Sequence, residues 1–204
     1  MALTRLSSDR DVVAQALLSG AIVGLGTDTV YGVAAALSHA PAVRSLFVLK
    51  NRPVTVALPI LCANLEQVHA LGCVVSERDR RVAELFWPGP LTLVLRANDE
   101  VCEVVAAIND VGVRVPHDDV LRELLLVTGP LAVTSANLHG RPPCTTGEQV
   151  AESFGVESGL AVIWDRGLRQ APVSTVVRVY DGSITMLREG AIARDAIAAV
   201  LKDQ

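Results

Sequence analysis

The sequence predicts an α/β domain built on a large, mixed sheet. Three observations carry this. Half of the 204 residues are apolar, yet only 3% are aromatic, so the core is built from Val, Leu, Ala and Ile. The apolar runs are short and unalternated, which suits strands buried on both faces. Stretches with helical spacing, opened by capping residues, separate those runs.

Taken in order, Ser8-Asp9-Arg10-Asp11 reads as a helix N-cap with an acid three residues on. Val12, Val13, Ala16 and Leu17 form the apolar face, and Gly20 ends the helix. A strand is expected at 21–25. Pro41 suits the first position of a helix with Val43, Leu46, Phe47 and Leu49 as its apolar positions, and this helix delivers Lys50 at its end. Pro53 biases Arg52 to an extended conformation. A strand is expected at 54–61, then helices at 65–71 and 76–86. Trp87-Pro88-Gly89-Pro90 is a rigid turn. Strands follow at 91–95 and 111–115, a helix at 118–127 and a strand at 131–134. A polar loop spans 135–146. A helix near 148–154, strands at 160–163, 175–179 and 184–187, and a helix at 195–201 complete the order. With no linker or repeat, one domain over 1–204 is expected.

Several classes are excluded. No apolar stretch approaches the length of a membrane span. The N-terminus has no apolar h-region, so the cytoplasm is the expected location and no membrane partner is expected. The net charge of −4 argues against strong non-specific nucleic-acid binding, though not against a local basic groove. Cys62, Cys73, Cys102 and Cys144 lie far apart with no C-x-x-C, so they read as reduced and structural. His39, His69, His117 and His139 show no metal-ligand spacing, and no metal site is expected.

The chemistry concentrates elsewhere. Between Asp28 and Glu66 there is no acidic residue. This window holds Arg44, Lys50 and Arg52, a place for a polyanion. Lys50 and Lys202 are the chain's two lysines, against sixteen arginines. A compact ammonium acts as a point charge that reaches a phosphate. Thr27, Thr29 and Tyr31 alternate, so in an extended chain they share one face. Ser135-Ala136-Asn137 directly follows a strand, where ligands of open α/β sheets sit; turn chemistry alone also accounts for Ser and Asn there.

Gly24-x-Gly26-x-x-Thr29 lacks the third glycine and the downstream acid of a dinucleotide site, and there is no P-loop. There is no G-x-S-x-G, and nothing pairs a Ser or Cys with a His and an acid. The inventory is hydroxyls, amides and cations. It suits phosphoryl or nucleotidyl transfer, in which positioning and charge neutralisation do most of the catalysis.

Seven segments in order resemble the YrdC-like family, the threonylcarbamoyl-adenylate synthases. They are Thr27-Asp28-Thr29-Val30-Tyr31-Gly32, Lys50-x-Arg52-Pro53, Trp87-Pro88-Gly89-Pro90-Leu91-Thr92, Val113-Arg114-Val115-Pro116, Ser135-Ala136-Asn137, Ser174-Thr175-Val176 and Leu187-Arg188-x-Gly190. The resemblance implies a YrdC-type α/β fold, a twisted mixed sheet with flanking helices and a concave positive cavity, in the short, single-domain form. It implies a nucleotidyltransferase that makes L-threonylcarbamoyladenylate from L-threonine, bicarbonate or CO2, and ATP with Mg2+, releasing pyrophosphate. The product serves N6-threonylcarbamoyladenosine modification of tRNA through a partner transferase complex, with a contact to structured RNA or tRNA as a further expectation.

By position, the resemblance assigns Lys50 and Arg52 to catalysis and the ATP phosphates. It assigns Ser135, Asn137 and Arg188 to ATP, and Thr27, Tyr31, Arg114 and Ser174 to threonine, with Arg114 on the carboxylate. Three positions depart from the family. Gly26 stands where Pro is usual, the stretch around Val56 is apolar where a basic or polar residue is common, and Glu189 stands where Pro is often seen. The alternative is a non-catalytic RNA-binding relative that uses the same cavity.

Overall fold

The computed structural model describes residues 5–53, 55–138, 141–155, 159–181 and 183–202. Ten strands and eight helices follow one another along the described chain: β1 (Arg5–Ser7), α1 (Arg10–Leu18), β2 (Ile22–Gly26), β3 (Tyr31–Ala36), α2 (Ala40–Leu49), β4 (Ile60–Leu61), α3 (Leu65–Ala70), α4 (Glu77–Phe86), β5 (Leu91–Arg96), α5 (Asp99–Val104), β6 (Asp110–Arg114), α6 (Asp119–Thr128), β7 (Leu131–Ser135), α7 (Gly147–Phe154), β8 (Leu160–Trp164), β9 (Thr175–Tyr180), β10 (Ser183–Arg188) and α8 (Arg194–Lys202). The strands form one mixed sheet in the order β1-β8-β2-β3-β7-β4-β6-β5-β9-β10. No described helix is long and apolar enough to cross a membrane.

The two faces of this sheet are covered unequally, and that inequality makes the cavity. One face packs under α2, α4, α5, α7 and α8 through residues such as Val33, Leu93, Val113 and Val177. On the opposite face, Val13 and Leu17 of α1 and Leu121, Leu124 and Leu125 of α6 cover Val23, Ala34, Val133 and Val162. Those helices lie over β8, β2, β3 and β7. Over β6, β5 and β9 that face is open. Successive side chains of a strand point to opposite faces. Thus Leu93, Leu95, Val111 and Val113 enter the core, while Thr92, Val94, Gly112 and Arg114 face the opening.

Local chemistry explains the elements and several departures from expectation. The N-cap of α1 is Asp9 rather than Ser8, its carboxylate accepting from Asp11 N. The segment 54–61 is a strand only at Ile60–Leu61. Val56 N donates to Pro53 O, and the Arg52 side chain donates to Val56 O and Ala57 O, which winds the chain into a turn; Val54 lies outside the described residues. β3 was not expected, because Tyr31-Gly32-Val33-Ala34-Ala35-Ala36 is poor in β-formers. It forms because it pairs with β2 on one side and β7 on the other. β1 and α5 were likewise not expected; Asn98 caps α5 by accepting from Val101 N.

All four cysteines are free and buried. Burial raises the Cys62 thiol and pushes Cys73 up to about 11.

Candidate active site

The motif Lys50-Asn51-Arg52-Pro53 is the C-terminal cap of α2. Asn51 takes a left-handed conformation at φ 47°. Asn51 N donates to Val48 O, and Arg52 N donates to Phe47 O at 2.8 Å. This is the paired-bond ending that favours Gly or Asn. The reversal sends Lys50 and Arg52 in different directions.

Lys50 turns inward. It is 7% exposed. Its ammonium donates to Ser135 O and Asn137 Oδ1, each at 2.7 Å, and to Asn137 O. Burial, and then the neighbouring Arg52 charge, lower its pKa to about 8. Arg52 turns toward the opening and holds the 55–57 turn through the two carbonyls named above.

The Thr27-Asp28-Thr29-Val30 segment is a turn, closed by Thr27 N donating to Val30 O. Thr27 Oγ1 also donates to Val30 O at 2.7 Å and lies 3.0 Å from Thr29 Oγ1. Asp28 reaches across to accept from Arg114 Nη2 at 2.6 Å and from His117 N at 3.0 Å. Arg114 also donates from Nε to Gly89 O and from Nη1 to Thr29 Oγ1. Burial lowers the Arg114 pKa, and the Asp28 charge opposes that shift.

Tyr31 does not share a hydroxyl face with the threonines. Its OH accepts from Arg166 N at 2.8 Å and lies 3.0 Å from Asp165 Oδ1. Burial is the main cause that pushes its pKa up to about 12.

Ser174 and Arg188 join the far side. Arg188 donates from Nη2 to Ser174 Oγ at 2.7 Å and from Nε to Ser174 O at 3.0 Å. Ser174 Oγ in turn shares a 3.0 Å hydrogen bond with Thr92 Oγ1. Burial first, then the charges of Arg114 and Arg52, lower the Arg188 pKa. Gly190 lets this strand end pass close by, since a Cβ there would sit 2.3 Å from Val173 O.

These groups surround one cavity of about 680 Å³ on the open half of the sheet. Seven of the nine residues singled out from the sequence line it: Thr27, Tyr31, Arg52, Arg114, Ser135, Ser174 and Arg188. Lys50 and Asn137 do not. They form a layer behind Ser135, whose Oγ donates to Asn137 Oδ1 at 2.6 Å. The sequence reading missed Asp28 as the partner of Arg114, and missed Asp110 and Arg178, which also line the cavity. Thr92 was readable as part of the Trp87 to Thr92 motif. Among the described residues no three His, Cys, Asp or Glu side chains cluster to hold a metal.

The order of motifs along the chain and their convergence on one cavity have counterparts in known proteins. The model of the Sua5/yciO/yrdC family, described as telomere recombination, matches residues 15–190. The chain belongs to the Sua5/YciO/YrdC family. Within it, the chain is 34% identical over 193 residues to a threonylcarbamoyl-AMP synthase of Pyrococcus abyssi, covering 93% of this chain and 56% of that one. It is 32% identical over 203 residues to a threonylcarbamoyl-AMP synthase of Bacillus subtilis, covering 96% of this chain and 58% of that one. The chain thus spans somewhat more than half the length of these relatives. The solved structure of P. abyssi Sua5 complexed with L-threonine superposes with a TM-score of 0.86 at 31% identity, over 98% of this chain and 61% of that one. The Sua5/YciO/YrdC fold is therefore the fold of this chain, a mixed α/β sheet with flanking helices.

Proposed function

We propose that the protein is an L-threonylcarbamoyladenylate synthase: L-threonine, bicarbonate or CO2, and ATP go to L-threonylcarbamoyladenylate and pyrophosphate. The observation that supports this most is the convergence of Arg52, Arg114 and Arg188 on one cavity with hydroxyls from Thr27, Ser135 and Ser174. Such a set suits an amino-acid carboxylate beside a polyphosphate, and the relatives from Pyrococcus abyssi and Bacillus subtilis are named threonylcarbamoyl-AMP synthases.

In this scheme Arg114, fixed by Asp28 and Gly89 O, binds the threonine carboxylate, with Thr27, Ser174 and the Tyr31 wall around the amino acid. The threonine amine adds to CO2 and loses a proton, giving a carbamate. A carbamate oxygen attacks the α-phosphorus of ATP and the bond to the β-phosphate breaks, releasing pyrophosphate. No side-chain nucleophile is required, and the cavity's cations act by positioning and charge stabilisation. Arg52, Arg188 and Ser135 face the phosphates, with Lys50 and Asn137 supporting Ser135 from behind. Lys50 would reach a phosphate oxygen by exchanging one of its bonds to residues 135 and 137.

Mg2+ would arrive on the triphosphate and share the charge of the leaving pyrophosphate, since that ion commonly keeps phosphate and water ligands. The product would pass to a threonylcarbamoyl transferase complex for N6-threonylcarbamoyladenosine formation in tRNA, and structured RNA or tRNA would meet the protein at that stage. The cytoplasm is the compartment we propose.

The test is pyrophosphate release by the purified chain. Release that requires both threonine and bicarbonate supports the synthase. Absence of release across a range of Mg2+ concentrations, together with salt-sensitive binding to structured RNA, would establish the non-catalytic RNA-binding reading instead.

A further inference from the structure

Residues 165–174 join β8 to β9, which stand second and ninth in the sheet order, so this strap crosses most of the width of the sheet. The synthase scheme uses only its last residue, Ser174. Yet the strap is fastened to the threonine corner at two further points. Arg166 N donates to the Tyr31 hydroxyl at 2.8 Å, and that hydroxyl lies 2.9 Å from Gly167 O. Ala171 N donates to Thr29 O at 3.0 Å. These bonds grip the turn that carries Asp28 across to Arg114.

Charged side chains fasten the strap from outside the cavity. Asp118, its side chain 6% exposed, accepts from Arg166 Nη2 at 3.2 Å and lies 3.9 Å from Arg169 Nη1. The Arg166 guanidinium also lies over the buried Trp164 ring. One carboxylate thus serves two guanidiniums. Arg166 Nη1 and Arg169 Nε are buried without any acceptor among the described residues, so Asp118 is the counter-charge this pocket depends on. Its neighbour His117 donates its backbone N to Asp28 at 3.0 Å. The 114–118 segment therefore reaches the Thr27–Tyr31 turn twice, directly through Asp28 and indirectly through Asp118 and the strap.

We infer that Asp118 and Arg166 are positioning residues for threonine: they clamp the strap onto the Thr27–Tyr31 turn, and the turn holds Asp28 and Thr29 where they orient the Arg114 fork. The inference rests on the synthase scheme, which places the threonine carboxylate on Arg114. Neither Asp118 nor Arg166 lines the cavity, so both act through the turn. Without the Asp118 charge, two largely buried guanidiniums face each other uncompensated, a costly arrangement that is relieved by moving the strap outward. The bonds from Arg166 N and Ala171 N then weaken, and the freed turn must be ordered again at the expense of threonine binding. The polyphosphate corner is spared, because the side chains of Arg52 and Arg188 bond to none of residues 165–173. Asp118 also caps α6 by accepting from Leu121 N at 3.0 Å. Asn caps a helix as well as Asp does, so Asp118→Asn removes the charge and keeps the cap.

The experiment is calorimetric binding of threonine and of ATP to the full chain, to Asp118→Asn, to Arg166→Gln and to the double variant, with amide hydrogen exchange on the ligand-free proteins. Asp118→Asn should weaken threonine by about tenfold and leave ATP within about twofold. Exchange at the Ala171 amide should quicken about tenfold, while Leu93 and Val113 in the core strands stay unchanged. Adding Arg166→Gln removes one of the two repelling charges, so the double variant should recover threonine binding to within about threefold of the unaltered protein, no weaker than Arg166→Gln alone. A loss caused only by damage to α6 would show no such recovery. Unchanged threonine affinity in Asp118→Asn, an equal loss for threonine and ATP, or a double variant as weak as Asp118→Asn each overturns the clamp. Pyrophosphate release that requires threonine and bicarbonate, alongside any of those results, keeps the synthase and overturns the clamp alone. The expected binding pattern in a protein that releases no pyrophosphate keeps the clamp and overturns the synthase.

Discussion

The two cationic corners of the cavity are built differently. At the Arg114 corner the guanidinium is paired with a buried carboxylate, Asp28, and fixed by Gly89 O and Thr29 Oγ1. At the other corner Arg52 and Arg188, with Lys50 in the layer behind Ser135, are held by carbonyl, amide and hydroxyl oxygens, and among the described residues no carboxylate pairs with any of the three. The first corner is close to neutral and rigid, so in the proposed scheme it would recognise shape: a carboxylate would have to fit the remaining N–H groups of one oriented fork. The second carries surplus charge in a half-dry setting. Burial holds all three of its cations below their ordinary pKa values. In the same scheme an arriving polyphosphate would supply the missing counter-charge.

The largest way to break this comparison is Lys50→Ala. Removing one charge-stabilising group from such a site costs about 100- to 1000-fold in turnover. We expect a loss of that size in threonine-dependent pyrophosphate release, with the circular dichroism spectrum unchanged. A variant that keeps a tenth of the activity would make Lys50 a strut for Ser135 and Asn137 rather than a source of charge.

Asp28→Asn tests the opposite corner. It keeps the size and one acceptor of Asp28 but leaves the Arg114 charge uncompensated. Truncating one partner of a buried charge pair costs about 2–5 kcal/mol, and the retained hydrogen bond should bring the effect to the low end. The threonine KM should rise about tenfold or more while the ATP KM moves by less than about threefold. Equal changes in both constants would show that the two corners do not act separately.

A pH titration separates them further. Lys50 loses its proton near pH 8 in the folded protein. Phosphate binding through that charge should weaken as pH rises through about 8, while an unperturbed lysine would hold its charge to about 10.4. The sign for stability is opposite. Between those two pH values the unfolded chain binds the proton that the folded chain has lost, so the Lys50 contribution to stability rises with pH across that window. Lys50→Arg should remove both trends, because a guanidinium stays charged throughout.

How much of this was legible in the sequence divides along the same line. The motifs at the ends of β2, β6, β7 and β9 were readable because polar residues at strand ends are short-range signals. The helices after Asn64, Ser76 and Asp118 were placed from their apolar spacing, while the capping roles of those three residues were not read and come from the structure. The cavity itself depends on which half of a sheet face stays uncovered, and that is set by where α1 and α6 pack. One trace of it was present: β5 and β6 alternate, with Thr92, Val94, Gly112 and Arg114 between core residues, unlike the wholly buried β2 and β3. The Asp28–Arg114 pair spans 86 positions, and no local pattern marks it. Lys50 was found by composition, but only tertiary packing turns its ammonium toward residues 135 and 137.

The smallest effect concerns Gly26, one of the three positions named as departures from the resemblance. It ends β2 beneath Tyr31, on the rigid side of the cavity. A Cβ at this position would come within 2.9 Å of Arg166 Cβ and 3.2 Å of Tyr31 Cζ. Arg166 has little freedom to retreat. Its guanidinium stacks over Trp164 at 4.4 Å, bonds Asp118 at 3.2 Å, and its backbone N donates to the Tyr31 hydroxyl. Gly26 is therefore matched to Arg166 and Trp164 in this chain. Gly26→Ala should cost about 1–3 kcal/mol from overpacking, a fall of roughly 2–12 °C in Tm for a chain of this length. Because Tyr31 is displaced in the same step, the threonine KM should rise slightly while ATP binding holds. Were Tm unchanged, Arg166 would be free to swing away from the strand end, and the rigidity ascribed to this corner would belong to Arg114 and Asp28 alone.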